Sequence, residues 1–218
     1  MSQLTFQFAF KTSYYEKDFF VSSNNFAAYR LIESWPNWPG KKINIYGPTG
    51  CGKTHLSNIL NKKIDTLLIK ASDLNNAVLN RLKLKKCLIV DDYKGNIEEN
   101  LFYTILNQIN QSNQYIVINS LKPVKKSNVK LNDLKSRLES FINLGIDLPT
   151  DDLLRVIITK SFSDKQIKVN VKLLEYILKN IDRSYEKIFK FIKDIDIISL
   201  SSGKAININL IKKVLKNE

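Results

Sequence analysis

The segment KKINIYGPTGCGKTHL, Lys41 to Leu56, decides how the rest of this chain is read. Its apolar run Ile43 to Tyr46 predicts a short strand, and the residues from about Lys53 to Asn61 predict a helix. Between them GPTGCGKT, Gly47 to Thr54, satisfies G-x-x-x-x-G-K-[ST], so motif and context agree on a phosphate-binding loop. The chemistry follows from the residue types. Gly47, Gly50 and Gly52 let the backbone turn tightly and aim N–H groups at phosphate oxygens, and the helix N-terminus adds the positive end of its dipole. Pro48, Thr49 and Cys51 complete the cradle, with Cys51 read as a small filler rather than a reactive thiol. Lys53 is placed to reach the β- and γ-phosphates, and the Thr54 hydroxyl to ligate Mg²⁺. His55, the sole histidine, borders the cradle and is given no catalytic role.

Working outward, LKKCLIVDDY delivers Asp91 and Asp92 at the end of an apolar strand, Cys87 to Val90. Beside a phosphate loop, adjacent carboxylates there suit a Mg²⁺ ligand, Asp91, and a residue orienting the attacking water, Asp92. The segment QYIVINSLKP ends in Asn119 and Ser120, which are positioned either to touch the γ-phosphate or merely to close a turn. Arg137, in the predicted helix of LNDLKSRLES, is either a surface residue or a planar guanidinium suited to a γ-phosphate.

Thr66 to Ile69, Tyr115 to Ile118 and Leu144 to Leu148 also read as buried parallel strands, and Ser22 to Trp35 as a helix capped by Asn25 or Ser23 and stopped by Pro36 and Pro39. After Pro149 the periodicity becomes purely helical, over Asp151 to Phe162, Val171 to Asn180, Arg183 to Leu200 and Ile206 to Leu215. The expected fold is therefore α/β, a P-loop parallel sheet flanked by helices, followed from near Thr150 by a small all-helical domain.

Composition bounds the class. The 218 residues are 44% hydrophobic and 25% charged, enough for a sizeable core, and no run approaches the roughly 18 apolar residues of a membrane span. The N-terminus MSQLTFQFAF has no secretion signal, and Cys51 and Cys87 have no partners at metal-ligand spacing, so a cytoplasmic protein without disulfides or a zinc finger is expected. The net charge of +13 invites a nucleic-acid reading. Yet 29 of the 34 basic residues are Lys, the weaker phosphate fork, which equally suits a solvated surface.

The stretch DFFVSSNNFAAYRLIESWPNWPGKKINIYGPTGCGKTHL, with LIVDDY, NSLKP, LKSRL and the helical end, resembles the AAA+ domain of the bacterial replication initiator DnaA and its short relative Hda. The VSxxN segment and the WPxWPG turn look more like Hda-type proteins. The resemblance implies an AAA+ nucleotide-binding domain over 11–149, a helical lid over 150–218, and a clamp-binding peptide within 1–10. It implies that Gly47 to Thr54 is Walker A, Asp91 and Asp92 Walker B, and Asn119 with Ser120 the sensor 1 neighbourhood. Arg137 matches a box VII arginine acting in trans on the initiator's ATP. In the lid, Glu186 stands near the usual sensor 2 arginine, and Arg183, one turn away, is assigned that place. Leu121 departs from the acidic residue common after sensor 1.

QLTFQF, Gln3 to Phe8, is similar to the sliding-clamp peptide of Hda-type proteins, with Gln3 at the groove rim and Leu4, Phe6 and Phe8 as anchors; an edge strand of alternating apolar residues fits it as well. The implied function is negative regulation of replication initiation. The protein would bind ADP or ATP with Mg²⁺, engage the beta-subunit sliding clamp and through it DNA at the nucleoid, and promote hydrolysis of DnaA-bound ATP, with a homodimer or homo-oligomer possible. A DNA-dependent ATPase or helicase-loader-like protein working directly on single strands is the alternative. The chain stops at Glu218 just after the lid helices, and 36 residues separate Thr54 from Asp91, so neither a duplex-reading domain nor an inserted single-strand-binding helix is expected.

Overall fold

The computed structural model describes residues 16–95, 97–167, 169–202 and 206–216, so Gln3, Leu4, Phe6 and Phe8 lie outside the described residues. The chain divides into two compact units, one ending at Asp147 and the other beginning at Leu148. Among the described residues no helix is long and apolar enough to cross a membrane.

The first unit is built on five parallel strands, β1 (Lys42–Tyr46), β2 (Thr66–Lys70), β3 (Cys87–Tyr93), β4 (Tyr115–Ser120) and β5 (Ile142–Gly145), in the order β2-β3-β4-β1-β5. Helix α1 (Phe26–Glu33) precedes β1, and the crossovers that parallel strands need are supplied by α2 (Lys53–Lys63), α3 (Ala77–Leu82), α4 (Glu99–Gln111) and α5 (Asn132–Glu139). Side-chain alternation divides the core. Leu88, Val90, Ile116 and Ile118 face one side, where they meet Val78, Leu82, Phe102, Ile105, Leu134 and Leu138 of α3, α4 and α5. Ile89 and Val117 point to the opposite face, which carries α1 and α2 with their buried Ile32, Leu56 and Leu60. Glu98 caps α4, its carboxylate accepting the N–H groups of Asn100 and Leu101 at 2.9 and 2.6 Å.

Both tryptophans belong to this unit. Trp35 and Trp38 meet edge to face at 5.3 Å, each also against Tyr115, and the Trp38 indole N–H donates to the Leu31 carbonyl at 2.6 Å.

Strand β5 departs from the sequence expectation of a buried strand over Leu144 to Leu148. Pairing with β1 starts at Ile43 opposite Ile142 and ends at Tyr46 opposite Gly145, and all four residues are half-buried because β5 is an edge strand. Leu148, expected inside, is 54% exposed. Of the two expected caps it is Asn25 that stands at the N-cap of α1, and its side chain closes the preceding turn instead of bonding the helix: it accepts from the Ser22 N–H and donates to the Phe20 carbonyl, both at 2.9 Å.

The second unit consists of α6 (Asp151–Asp164), α7 (Val171–Asn180), α8 (Tyr185–Ser202) and α9 (Ile208–Lys216). Leu154, Ile158, Ile177, Ile188, Phe191, Ile195 and Ile211 form its core. Short polar residues define the helix starts: Thr150 Oγ1 accepts from Leu153, Asn170 Oδ1 from Leu173 and Asn207 Oδ1 from Leu210.

A buried amide organises the turn after β4. Asn44, fully buried in β1, donates to the Ile118 carbonyl at 2.9 Å and to Ser120 Oγ at 2.8 Å, and accepts the Val124 N–H at 3.0 Å. Asn44→Ala leaves that N–H without its acceptor, at a cost of about 1–3 kcal/mol. The urea midpoint is expected to fall at unchanged m value; a variant as stable as the parent would show that this network carries no net stability.

Candidate functional site

The loop that follows β1 is shaped by what its glycines avoid. A Cβ on Gly47 would stand 2.4 Å from the Ile146 carbonyl oxygen, so the backbone passes there only without a side chain. Gly52 has φ +100°, and a Cβ on it would approach the Phe19 ring to 2.9 Å. Helix α2 begins directly after Gly52, leaving its first N–H groups at the loop. The Lys53 ammonium donates to the carbonyls of Gly47 at 2.7 Å and Pro48 at 2.9 Å, which holds a positive charge against the loop itself.

Three elements converge on one carboxylate. Thr54 Oγ1, on α2, donates to Asp91 Oδ2 at 2.8 Å. Asn119, at the end of β4, donates to Asp91 Oδ1 at 2.9 Å and to Ser57 Oγ at 2.7 Å, and the Asp92 N–H also reaches Asp91 Oδ1, at 3.1 Å. Asn119 is fully buried, and its Oδ1 has no hydrogen-bond partner among the described residues. Asp92 takes a different course. The ladder between β3 and β4 is irregular from Val90 to Tyr93, Asp92 has φ +56°, and its exposed carboxylate pairs with Lys94 at 3.1 Å. Ser120 is likewise turned aside: bonded to Asn44, it donates to the Lys122 carbonyl at 2.7 Å, so of the Asn119–Ser120 pair only Asn119 joins the Asp91 cluster.

The residues before α1 close the other flank of the loop. Phe19 stacks on Tyr29 with centroids 5.7 Å apart and meets the His55 ring edge to face at 5.3 Å. His55 is thus an aromatic neighbour of the loop. Sequence reasoning passed over Phe19, and its one signal is the position of DFFVSSNN just ahead of the loop segment. Ser57 was passed over too, although as the fifth residue of a helix beginning at Lys53 it falls one turn from that helix's start.

Arg137 lies elsewhere. It belongs to the last turn of α5, in the layer of helices across the sheet from α2, and its guanidinium carbon stands 4.9 Å from the centroid of the Tyr103 ring on α4. Arg183 precedes α8 in the helical unit and pairs with Asp151 at 2.9 Å, both side chains largely exposed. Glu186 is exposed.

Both cysteines are buried and free. Burial pushes the Cys51 thiol up against the opposing pull of Lys53, and burial alone pushes Cys87 up to about 12. Both thiols are therefore expected to remain protonated and slow to react with an alkylating reagent at pH 8 in the native protein, and to react at once in urea. Because Cys87 loses its proton more readily unfolded, its contribution to stability is complete below about pH 9 and declines as pH rises toward 12. Rapid native alkylation of Cys87 would contradict the burial. Gly47→Ala, which drives a methyl into the Ile146 carbonyl, is expected to cost about 1–3 kcal/mol in urea unfolding. An unchanged midpoint would mean that the loop yields freely.

Comparison with known proteins bears on this arrangement. A family model described as RNA helicase matches residues 43–129. The chromosomal replication initiator protein DnaA of Buchnera aphidicola subsp. Baizongia pistaciae is 27% identical over 99% of this chain and 53% of its own length, so the chain spans about half of that relative. Domain III of the Thermotoga maritima replication initiation protein DnaA superposes with a TM-score of 0.77 at 20% identity, covering 94% of this chain and 96% of that one. AMPPCP-bound DnaA from Aquifex aeolicus gives 0.67 at 24% identity over 83% of this chain and 64% of that one. The chain is thus similar along nearly its entire sequence to DnaA proteins, and its parallel sheet and terminal helices share the AAA+ P-loop fold of DnaA domain III.

Proposed function

We propose that the protein binds an adenine nucleotide, ADP or ATP, with Mg²⁺ at Gly47 to Thr54, and that it restrains replication initiation by promoting hydrolysis of ATP held by a DnaA-type initiator. The observation that carries the reading is the Asp91 carboxylate, which meets the Thr54 hydroxyl and the Asn119 amide beside a glycine-shaped loop. The AMPPCP named with the Aquifex aeolicus DnaA structure supports the ligand class.

In this reading phosphate oxygens replace the Gly47 and Pro48 carbonyls as acceptors for Lys53, a stronger partnership because both sides are charged. The donor set fits the metal: Thr54 and Asp91 offer hard oxygens, and the buried, unpartnered Oδ1 of Asn119 adds a polar atom in the same cluster. Thr54 and Asp91 would hold Mg²⁺, which when bound neutralises charge on the phosphates. Asp92, exposed and paired with Lys94, would have to leave that ion pair to orient water. Cys51 and His55 border the loop, and Arg183 belongs to the lid.

Arg137 acts in trans. Its place in the layer across the sheet from α2 supports action at a neighbour's nucleotide over action at its own, and an arginine so placed stabilises charge developing on a transferring phosphoryl group. Self-association through the same surface is part of the proposal, as is docking of Gln3, Leu4, Phe6 and Phe8 on the sliding clamp, which brings the protein to DNA.

Two measurements test this. Nucleotide binding by calorimetry should be weakened at least tenfold in Lys53→Ala and nearly unchanged in Arg137→Ala. In a mixture of ATP-loaded initiator, clamp on DNA and this protein, Arg137→Ala should lower the stimulated hydrolysis by on the order of 10³-fold. Full stimulation by Arg137→Ala would sink the finger assignment. A direct single-strand role is the second reading, favoured by the exposed Lys122, Lys125, Lys126 and Lys130 after β4. DNA-stimulated turnover without clamp, falling steeply with salt, would favour it.

A further inference from the structure

We propose that Tyr103, assisted by Asn107, is the positioning residue of Arg137, holding its guanidinium outward from α5 in the orientation used on a partner's nucleotide; this rests on the in-trans reading above. The two helices involved are fixed to each other before any side chain of this group is considered. The Glu99 carboxylate, in the first turn of α4, accepts the N–H groups of Lys130 at 2.9 Å and Leu131 at 2.7 Å, tying the start of α5 to the start of α4. Leu134 and Leu138, each 1% exposed, anchor the opposite face of α5 in the sheet core. Arg137 therefore departs from a rigid base.

The hold on the guanidinium is made at two points. Its carbon lies over the Tyr103 ring, 4.9 Å from the centroid, and side-chain hydrogen bonding with Asn107 and Arg137 lowers the pKa of the phenol. Tyr103 and Asn107 are four residues apart on α4 and so share a face. Those hydrogen bonds hold the phenol below its ordinary range, an effect that Asp133, one turn before Arg137, opposes. Lys42 of β1 feels the same charge: burial lowers its amine, and the Arg137 guanidinium lowers it further. The guanidinium thus has an aromatic face beneath it and a hydroxyl beside it, a combination that selects one direction for a side chain otherwise free in several torsions.

A merely structural tyrosine and a positioning one differ in what they move. In the stimulated-hydrolysis assay Tyr103→Ala should lower the saturated rate about five- to tenfold without shifting the half-saturating concentration or the protein's own nucleotide affinity. Tyr103→Phe, which keeps the ring and loses the hydroxyl, should retain most of that rate. Tyr103→Ala combined with Arg137→Ala should be no slower than Arg137→Ala alone. The chain has only five arginines, so the Arg137 side-chain Nε–H resonance can be assigned by substitution, and its ring-current shift should vanish in Tyr103→Ala and persist in Tyr103→Phe. If Tyr103→Ala stimulates at the parental rate or faster while Arg137→Ala is inactive, the positioning role is overturned and the finger stands. If Arg137→Ala stimulates fully, the finger reading itself fails and takes this proposal with it.

Discussion

A single carboxylate ties the working edge of the sheet together. Asp91 takes donors from α2, from β4 and from its own strand's backbone, and each arrives because a parallel sheet brings the carboxyl ends of its strands to one edge. The phosphate loop sits at that same edge because it follows β1, which lies next to β4. Removing the carboxylate would leave a hydroxyl, a buried amide and a main-chain N–H without their shared acceptor, and would free the loop helix from the strands beside it. The arrangement is small, yet it lets order in the sheet reach the loop without any contact through solvent.

The opposite layer of helices does different work. The side that carries α2 presents backbone N–H groups and a lysine, whereas the side that carries α4 and α5 presents a guanidinium laid on a tyrosine. In the proposed reading, receiving a phosphate and offering a cation to one fall to separate surfaces of one unit. Under the proposed function, a molecule divided in this way meets its partner's nucleotide with the face that its own ligand does not occupy.

Much of this was legible in the sequence because the decisive signals were local. The loop motif fixes a strand before it and a helix after it, and the alternation of short apolar runs with helical stretches is enough to predict a parallel sheet. Thr150 and Asn170 announce helix starts through chemistry contained within three residues, whereas Asn207 was read as part of a helix from Ile206 that begins at Ile208. What stayed illegible depends on partners distant in the chain. Strand β5 slips toward Ile142 because β1 sets its register and because an edge strand needs no continuous apolar run. Asn44 reads as an anomaly inside an apolar strand, and only the turn 80 residues later explains it. Tyr103 looks like any helical aromatic until α5 lies beside it. The division between Asn119 and Ser120 was equally hidden, since two adjacent small polar residues on a strand point to opposite sides and only one of those sides holds Asp91.

The aromatic cluster before β1 has a spectroscopic meaning. Both of the chain's tryptophans, Trp35 and Trp38, lie in it, packed on each other and on Tyr115 within the sheet unit, and the helical unit from Leu148 onward has none. Intrinsic fluorescence excited at the indole band therefore reports on one unit alone. Far-ultraviolet dichroism, to which α6, α7, α8 and α9 contribute from the other unit, registers both. Any difference between the two signals during unfolding measures the independence of the two halves directly, with no label introduced and no residue changed.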